Sequence, residues 1–401
     1  MEQPTQTPCT TAHAGTSTTN DISIRPLDLE NGDFDAVYKL WTTTFPNWPI
    51  PRDLLERMLT HPFLSSNSRH FVSTTQTPSS QTPIITGFIL SYLSDNAQTG
   101  FISALGITPS SRNQGIGSAL LSKAKEALRE AAKEKGVTLK KFVLGSVTPR
   151  FWPGVPVEFV GEGEGRGGFG RWWGGRGFTK STGPIIKDLF KDIRTELMAP
   201  AIQEKILRTA TEKGIRFAPW SEGGYEECMT KQQANFTWAK AYAVLAASSQ
   251  HHEVMVAFDA ETNEQLGWTL MCGPEAIVKD IYAFLPLAGE LGLGSCEGGD
   301  VRGRRAEGKA EVGEAEGCRE RKIGLIAAVG VDEKARGRGV GLALVGRAMA
   351  NLKERGVEGI FIDSVIIRDF YERLGFETRW EYETWECPEQ IEVEMEVKSM
   401  S

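Results

Sequence analysis

A chain of 401 residues has room for two domains or one elaborated domain, and its 24% charged and 40% apolar residues exclude wholesale disorder and the fibrous classes. The net charge of −7 argues against a polyanion binder, and no apolar run approaches the roughly 18 residues of a spanning helix, so a soluble chain without membrane contact is expected. Glycine is in surplus, with 43 residues where about 7% is usual, so its placement carries information.

In chain order, residues 1–20 are a Thr-rich polar tail that reads as disordered and lacks the apolar segment of a secretory signal; a cytoplasmic location is the default, with the nucleus left open. Residues 21–27 then read as a strand, 33–45 and 51–60 as helices, and 70–75, 84–93 and 100–107 as strands. A helix follows over 116–135 and a strand over 140–147. The order then repeats: strand 215–220, one long helix 224–247, strands 253–259, 265–272 and 322–331, helix 340–355, strand 359–365, a short helix 367–373 and strand 379–386. This alternation points to an α/β or α+β mixed-sheet class.

Two glycine-rich stretches interrupt the repeat. Residues 158–177 and 289–322 mix glycine with both charge signs and read as insertions, the second as a flexible loop. The organisation that follows is a tail (1–20), a first domain (21–190) carrying insertion 158–177, and a second domain (200–395) carrying insertion 289–322. Six cysteines without a C-x-x-C pair and five histidines signal neither a disulfide framework nor a zinc site, so no metal is expected.

One motif makes the duplication concrete. Arg112-Asn113-Gln114-Gly115-Ile116-Gly117 and Arg336-Gly337-Arg338-Gly339-Val340-Gly341 share the form R-x-x-G-x-G at an offset of 224, each between an apolar strand and an amphipathic helix. A strand that turns through glycines into a helix start presents unpaired N–H groups and the positive end of the helix dipole, which suits phosphate. The glycines let the backbone approach the ligand, and Arg112 or Arg336 can add a charge-assisted contact. A Walker loop is excluded by the absence of G-K-[ST] here, and a dinucleotide fingerprint by Leu120 and Leu344 at its third glycine position.

On these residues the chain resembles the GCN5-related N-acetyltransferases, whose acetyl-CoA diphosphate loop has the form [RQ]-x-x-G-x-[GA]. Phe370-Tyr371-Glu372-Arg373-Leu374-Gly375-Phe376 resembles a second family segment, F-Y-x-x-x-G-F, whose tyrosine serves the CoA sulfur. The resemblance implies two such acyl-CoA N-acyltransferase domains in tandem, with acetyl-CoA as co-substrate and a small-molecule primary amine, such as an amino sugar, as acceptor. It also implies direct attack of the amine on the thioester, with Tyr371 as acid, backbone N–H groups near Val329 and Val331 as oxyanion donors, and a base among Asp332, Glu333, Asp363 and Asp280. In the first copy Trp173 stands where Tyr371 stands in the second. Gly117 and Gly177 are 60 residues apart, against 34 between Gly341 and Gly375, so the first copy carries 26 extra. An indole cannot give up a proton near neutral pH, so the second domain is the expected catalyst.

Two other readings stay open at this point. The chain could bind acyl-CoA as a sensor without transferring it. Residues 166–178, with Arg, Gly and aromatic side chains, could stack on RNA bases, although acidic neighbours and the overall charge argue against nucleic acid. The family often dimerises, and a tandem chain could satisfy that contact within a monomer or still form a homodimer.

Overall fold

The computed structural model describes residues 22–60, 65–76, 83–147, 151–161, 168–235, 239–278 and 322–389. The tail 1–20, most of insertion 289–322, part of insertion 158–177, and Asp280 lie outside them.

In the first half, short runs rich in apolar and β-branched residues build β1 (Ile22–Pro26), β2 (Phe71–Thr75), β3 (Ile84–Leu93), β4 (Thr99–Ile107) and β5 (Lys141–Leu144). Helices α1 (Asp33–Thr44) and α2 (Arg52–Thr60) fill the first connection, and α3 (Ile116–Glu134) joins β4 to β5. The α3 face formed by Leu120, Leu121, Ala124, Leu128 and Ala131 is buried, a spacing of three and four residues that keeps one stripe on the sheet. Then come β6 (Val155–Pro156), the short α4 (Val157–Gly161) and α5 (Phe169–Gly174), β7 (Thr179–Lys180) and β8 (Ile186–Asp192).

The second half opens with α6 (Pro200–Glu212), followed by β9 (Ile215–Pro219), α7 (Tyr225–Asn235), α8 (Ala239–Ala247), β10 (Val254–Asp259) and β11 (Gln265–Cys272). It ends with β12 (Ile323–Val331), α9 (Val340–Glu354), β13 (Gly359–Val365), β14 (Glu377–Glu383) and β15 (Trp385–Pro388). The expected helix over 224–247 is therefore two described helices. The expected helix over 367–373 is a single 3-10 turn, Glu372–Leu374. Asp369 enters the left-handed region at φ 57°, which ends any helix there.

The strands form two sheets, ordered β1-β2-β3-β4-β5-β15-β7 and β9-β10-β11-β12-β13-β8-β14-β6. Neither is built from one continuous stretch of chain. β8, from the first half, lies between β13 and β14, while β15, from the chain's last described residues, lies between β5 and β7. The expected single strand 379–386 is thus cut at Thr384, its two parts going to different sheets. The exchange also mixes the cores. Tyr382 packs in the cluster of Trp41, Trp48 and Trp152, and Trp385 and Cys387 join that of Leu120, Leu128 and Phe142.

The mixed sheets part at one place in each half. β4 pairs in parallel with β5 from Thr99 to Ile102, and β12 with β13 from Ile323 to Ile326. Beyond Ile102 and Ile326, again at the offset of 224, β4 and β12 run on to Ile107 and Val331 without those neighbours. A cleft opens at each.

Candidate acyl-CoA site

Each cleft leads to a glycine turn, and the two turns are the same in detail. Arg112 Nε donates to the Ile107 carbonyl at 3.2 Å, and Arg336 Nε to the Val331 carbonyl at 3.3 Å. Asn113 and Gly337 have φ of 62° and 76°, and Gly115 and Gly339, which cap α3 and α9, have φ of 82° and 83°. This left-handed cap conformation costs glycine nothing and leaves the first N–H groups of each helix free of side-chain caps. A Cβ at Gly115 would meet open space, whereas one at Gly117 would lie 3.1 Å from the Trp172 ring and one at Gly341 would lie 3.4 Å from Phe370.

Those rings belong to a second repeated feature. Trp172 and Trp173 meet edge to face at 4.7 Å and 85°, and Phe370 and Tyr371 at 4.8 Å and 90°. The Phe178 N–H reaches the Trp173 carbonyl at 3.1 Å, and the Phe376 N–H the Tyr371 carbonyl at 3.4 Å. Trp173 is therefore the structural counterpart of Tyr371. Trp173 and Phe178, within the Arg/Gly stretch, are buried, so their faces pack on protein.

The clefts differ in size. The first holds a cavity of about 720 Å³ that runs from Gly115 and Gly117 along the β4 edge past Ser103 and Leu105 to Trp173, and on to Phe45, Trp152 and Phe159. Gly145, at φ 88°, ends β5 there, and a Cβ on it would lie 2.3 Å from the Trp152 carbonyl. Ser103 Oγ donates to Ser146 Oγ at 2.8 Å across the parting strands. Trp152 stacks on Trp41 at 5.4 Å and meets Phe45 at 5.0 Å, which fixes the aromatic wall.

The second holds about 290 Å³ around Val331, Arg336, Gly337, Gly339, Val340 and Gly341. Helix α6 crowds it: Ile206 lies 2.3 Å from a Cβ placed on Gly346, and Thr209 3.4 Å from one on Gly339. In the first half nothing described corresponds to α6.

The remaining sequence candidates are distributed around these turns. Gln114 Nε2 donates to the Ser110 carbonyl at 3.0 Å, Ile116, the first residue of α3, is buried, and Arg338 Nη2 donates to the Lys213 carbonyl at 3.1 Å. Val329 lies on the open β12 edge, packed against the core of its half. Asp332 caps its 3-10 turn through the Lys334 N–H at 3.0 Å and has Lys231 Nζ at 3.7 Å, while Glu333 is exposed. Tyr371 is buried, and that burial, with the charge of Asp363 nearby, pushes its phenol pKa up. Tyr371, Asp332, Glu333 and Asp363 do not line the smaller cavity.

Residues that the sequence did not single out are Trp172, Arg176, Ser103 and Ser146. The repeated ring pair was the signal for Trp172. Nothing in the local pattern marks the serines, which the parting strands bring together from 43 positions apart. Among the described residues no group of three or more His, Cys, Asp or Glu could hold a metal ion, and no helix is long and apolar enough to cross a membrane.

Residues 34–143 match the family model described as Acetyltransferase (GNAT) family, and residues 303–378 the one described as Acetyltransferase (GNAT) domain. No curated protein sequence matches. Among solved structures, one described as a GCN5-related glucosamine N-acetyltransferase region in a fungal multi-domain GH3 beta-N-acetylglucosaminidase is similar with a TM-score of 0.72 at 23% identity. The match covers 92% of this chain and 38% of that one, so this chain spans well under half the length of the fungal protein. A GCN5-related N-acetyltransferase from Sphaerobacter thermophilus matches with a TM-score of 0.58 at 12% identity, over 92% of this chain and 95% of that one. A tandem GNAT protein from the clavulanic acid biosynthesis pathway gives 0.50 at 14% identity, over 92% and 98%. At these identities the likeness is one of fold.

Proposed function

Because the chain belongs to the GCN5-related N-acetyltransferase superfamily in its tandem two-domain form, we propose that it moves an acetyl group from acetyl-CoA to the primary amine of a small molecule, in the cleft of its first half. The observation that carries this reading is the cavity of about 720 Å³ that joins a glycine turn to an aromatic chamber along an open strand edge. It suits a long thioester with its phosphates at one end and an acceptor at the other.

The residues fit that co-substrate. The N–H groups around Gly115, Ile116 and Gly117 would hold the diphosphate at the start of α3. When bound, acetyl-CoA supplies an activated acyl carbon. The β4 edge beyond Ile102, where the ladder to β3 shifts register between Leu90 and Ser91, offers backbone N–H groups to the oxygen that gains charge during transfer. Ser103, which borders the cavity and is held by Ser146, can orient an amine beside it. Trp173 walls the sulfur end and excludes water without donating a proton. Phe45, Trp152 and Phe159 form an apolar aromatic wall, with Trp152 edge to face against the other two, that favours an amino sugar. Glucosamine, the acceptor in the name of the similar fungal region, is the first compound to test.

A second reading places the reaction in the second half, as the sequence suggested. It is favoured by Tyr371, which keeps the hydroxyl and stays protonated through neutral pH because burial disfavours the phenolate. The reciprocal strand exchange supports a monomer whose halves form an internal pseudo-dimer, without requiring a second chain. Release of free CoA thiol, followed with acetyl-CoA against glucosamine, polyamines, amino acids and a lysine peptide, tests the activity. Turnover with an amine supports transfer; CoA binding with no turnover on any amine contradicts it and supports a sensor.

A further inference from the structure

Arg176 lies in the second repeated segment, where Leu374 stands in the other copy, two residues after α5, and it borders the large cavity beside Gly115, Gly117 and Ser118. Its guanidinium stacks on the Trp172 ring with Cζ 3.7 Å from the centroid, and Nη1 donates to the Trp172 carbonyl at 2.7 Å. Nη2 donates to Ser118 Oγ, in the first turn of α3. Its Nε is buried and has no partner among the described residues. The side chain is thus a cation fixed by three contacts at the mouth of a helix start that already favours anions. Trp172, on which it rests, is the ring that closes over Gly117.

We propose that Arg176 is a specificity-determining residue for the diphosphate of CoA: it adds fixed positive charge to the first glycine turn and, through Trp172, ties the position of α5 to an occupied turn. The proposal rests on the acyl-CoA reading of the first cleft. The ring that forms the sulfur-end wall, Trp173, belongs to the same short helix, so a ligand held by Arg176 also seats that wall. The second turn carries an arginine in a related place, since Arg373 borders the smaller cavity with Phe370 and Gly341.

Calorimetric binding to the full chain tests this with three ligands: CoA, dephospho-CoA, which keeps the diphosphate but lacks the 3′-phosphate, and S-acetylpantetheine, which lacks both. In Arg176→Ala, affinity for CoA and for dephospho-CoA falls by roughly tenfold to a hundredfold, the loss expected of a charge-assisted contact, while affinity for S-acetylpantetheine stays unchanged. Arg176→Lys recovers part of the loss because it keeps the charge without the planar stack. The wild-type preference for CoA over S-acetylpantetheine narrows as salt rises, and that dependence weakens in Arg176→Ala. Equal losses for all three ligands would mark Arg176 as a structural support and overturn the assignment; so would a loss confined to CoA, which would place the contact on the 3′-phosphate. A protein that binds CoA in this pattern but transfers nothing overturns the transfer reading and leaves Arg176 assigned.

Discussion

Single residues decide where this chain can bend and where it can charge. Gly115 and Gly339 occupy the left-handed region at φ 82° and 83°, and a side chain at either position pays a strain that glycine does not. Away from the clefts, His70 is buried against Tyr92 and its Nδ1 accepts from the Ser91 N–H at 3.2 Å. Burial, followed by the charge of Arg69, pushes its pKa down to about 3. The folded chain therefore keeps His70 neutral where the unfolded chain would protonate it. Its contribution to stability is complete above the ordinary histidine value near 6.5 and is lost as pH falls from there toward 3. Unfolding free energies from denaturant titrations between pH 7 and 4 should fall more steeply in the wild type than in His70→Gln, by up to about 1.4 kcal/mol per pH unit. Parallel slopes would contradict a neutral buried His70.

At the scale of elements, the strand exchange makes each half depend on the other. β8 enters the second sheet, where the Tyr382 hydroxyl donates to Asp188 Oδ2 at 2.8 Å and the Ser364 N–H donates to Oδ1 at 3.1 Å. Asp188 is fully buried, so these donors replace water around a carboxylate. Tyr382→Phe removes one of them and should cost about 1.5–3 kcal/mol in chemical denaturation, as for hydrogen bonds to charged groups; an unchanged midpoint would show that the pair is not stabilising.

Most of the repeated order was legible in the sequence, because apolar alternation and the three-to-four spacing of α3 and α9 are local signals. What was not legible is where strands go. The run 379–386 alternates like one strand, yet nothing local says that chain on either side of Thr384 joins different sheets. β8 and α6 were missed for a related reason. α6 lies where the halves join and has no described counterpart in the first, so a repeat gives no template for it, and it buries only Ile206 among its own residues; β8, like its counterpart β15, crosses to the other sheet, which no local signal marks. At the clefts, the glycine turns were readable from spacing alone. The serine pair and the Arg176 stack depend on contacts across long stretches of chain.

Over the whole molecule, two copies of one architecture have diverged in the size of their clefts. Sequence favours the second because Tyr371 keeps its hydroxyl. Geometry favours the first, because α6 fills the mouth of the second cleft and leaves about 290 Å³ against about 720 Å³. On this account the second half has become a partner that completes the sheet of the first through β15, where Trp385 packs against Phe169 of α5 at 5.6 Å. The most direct measurement is acetyl-CoA-dependent turnover on the best acceptor in the matched variants Gly115→Glu and Gly339→Glu. They introduce the same left-handed backbone strain and the same negative charge at equivalent turns, so the comparison isolates which turn holds the diphosphate. Gly115→Glu should lower kcat/KM for acetyl-CoA at least about a hundredfold, through repulsion and lost backbone contacts at the anion site, while Gly339→Glu should change it by less than about threefold. The reverse pattern, with turnover lost only in Gly339→Glu, would contradict it.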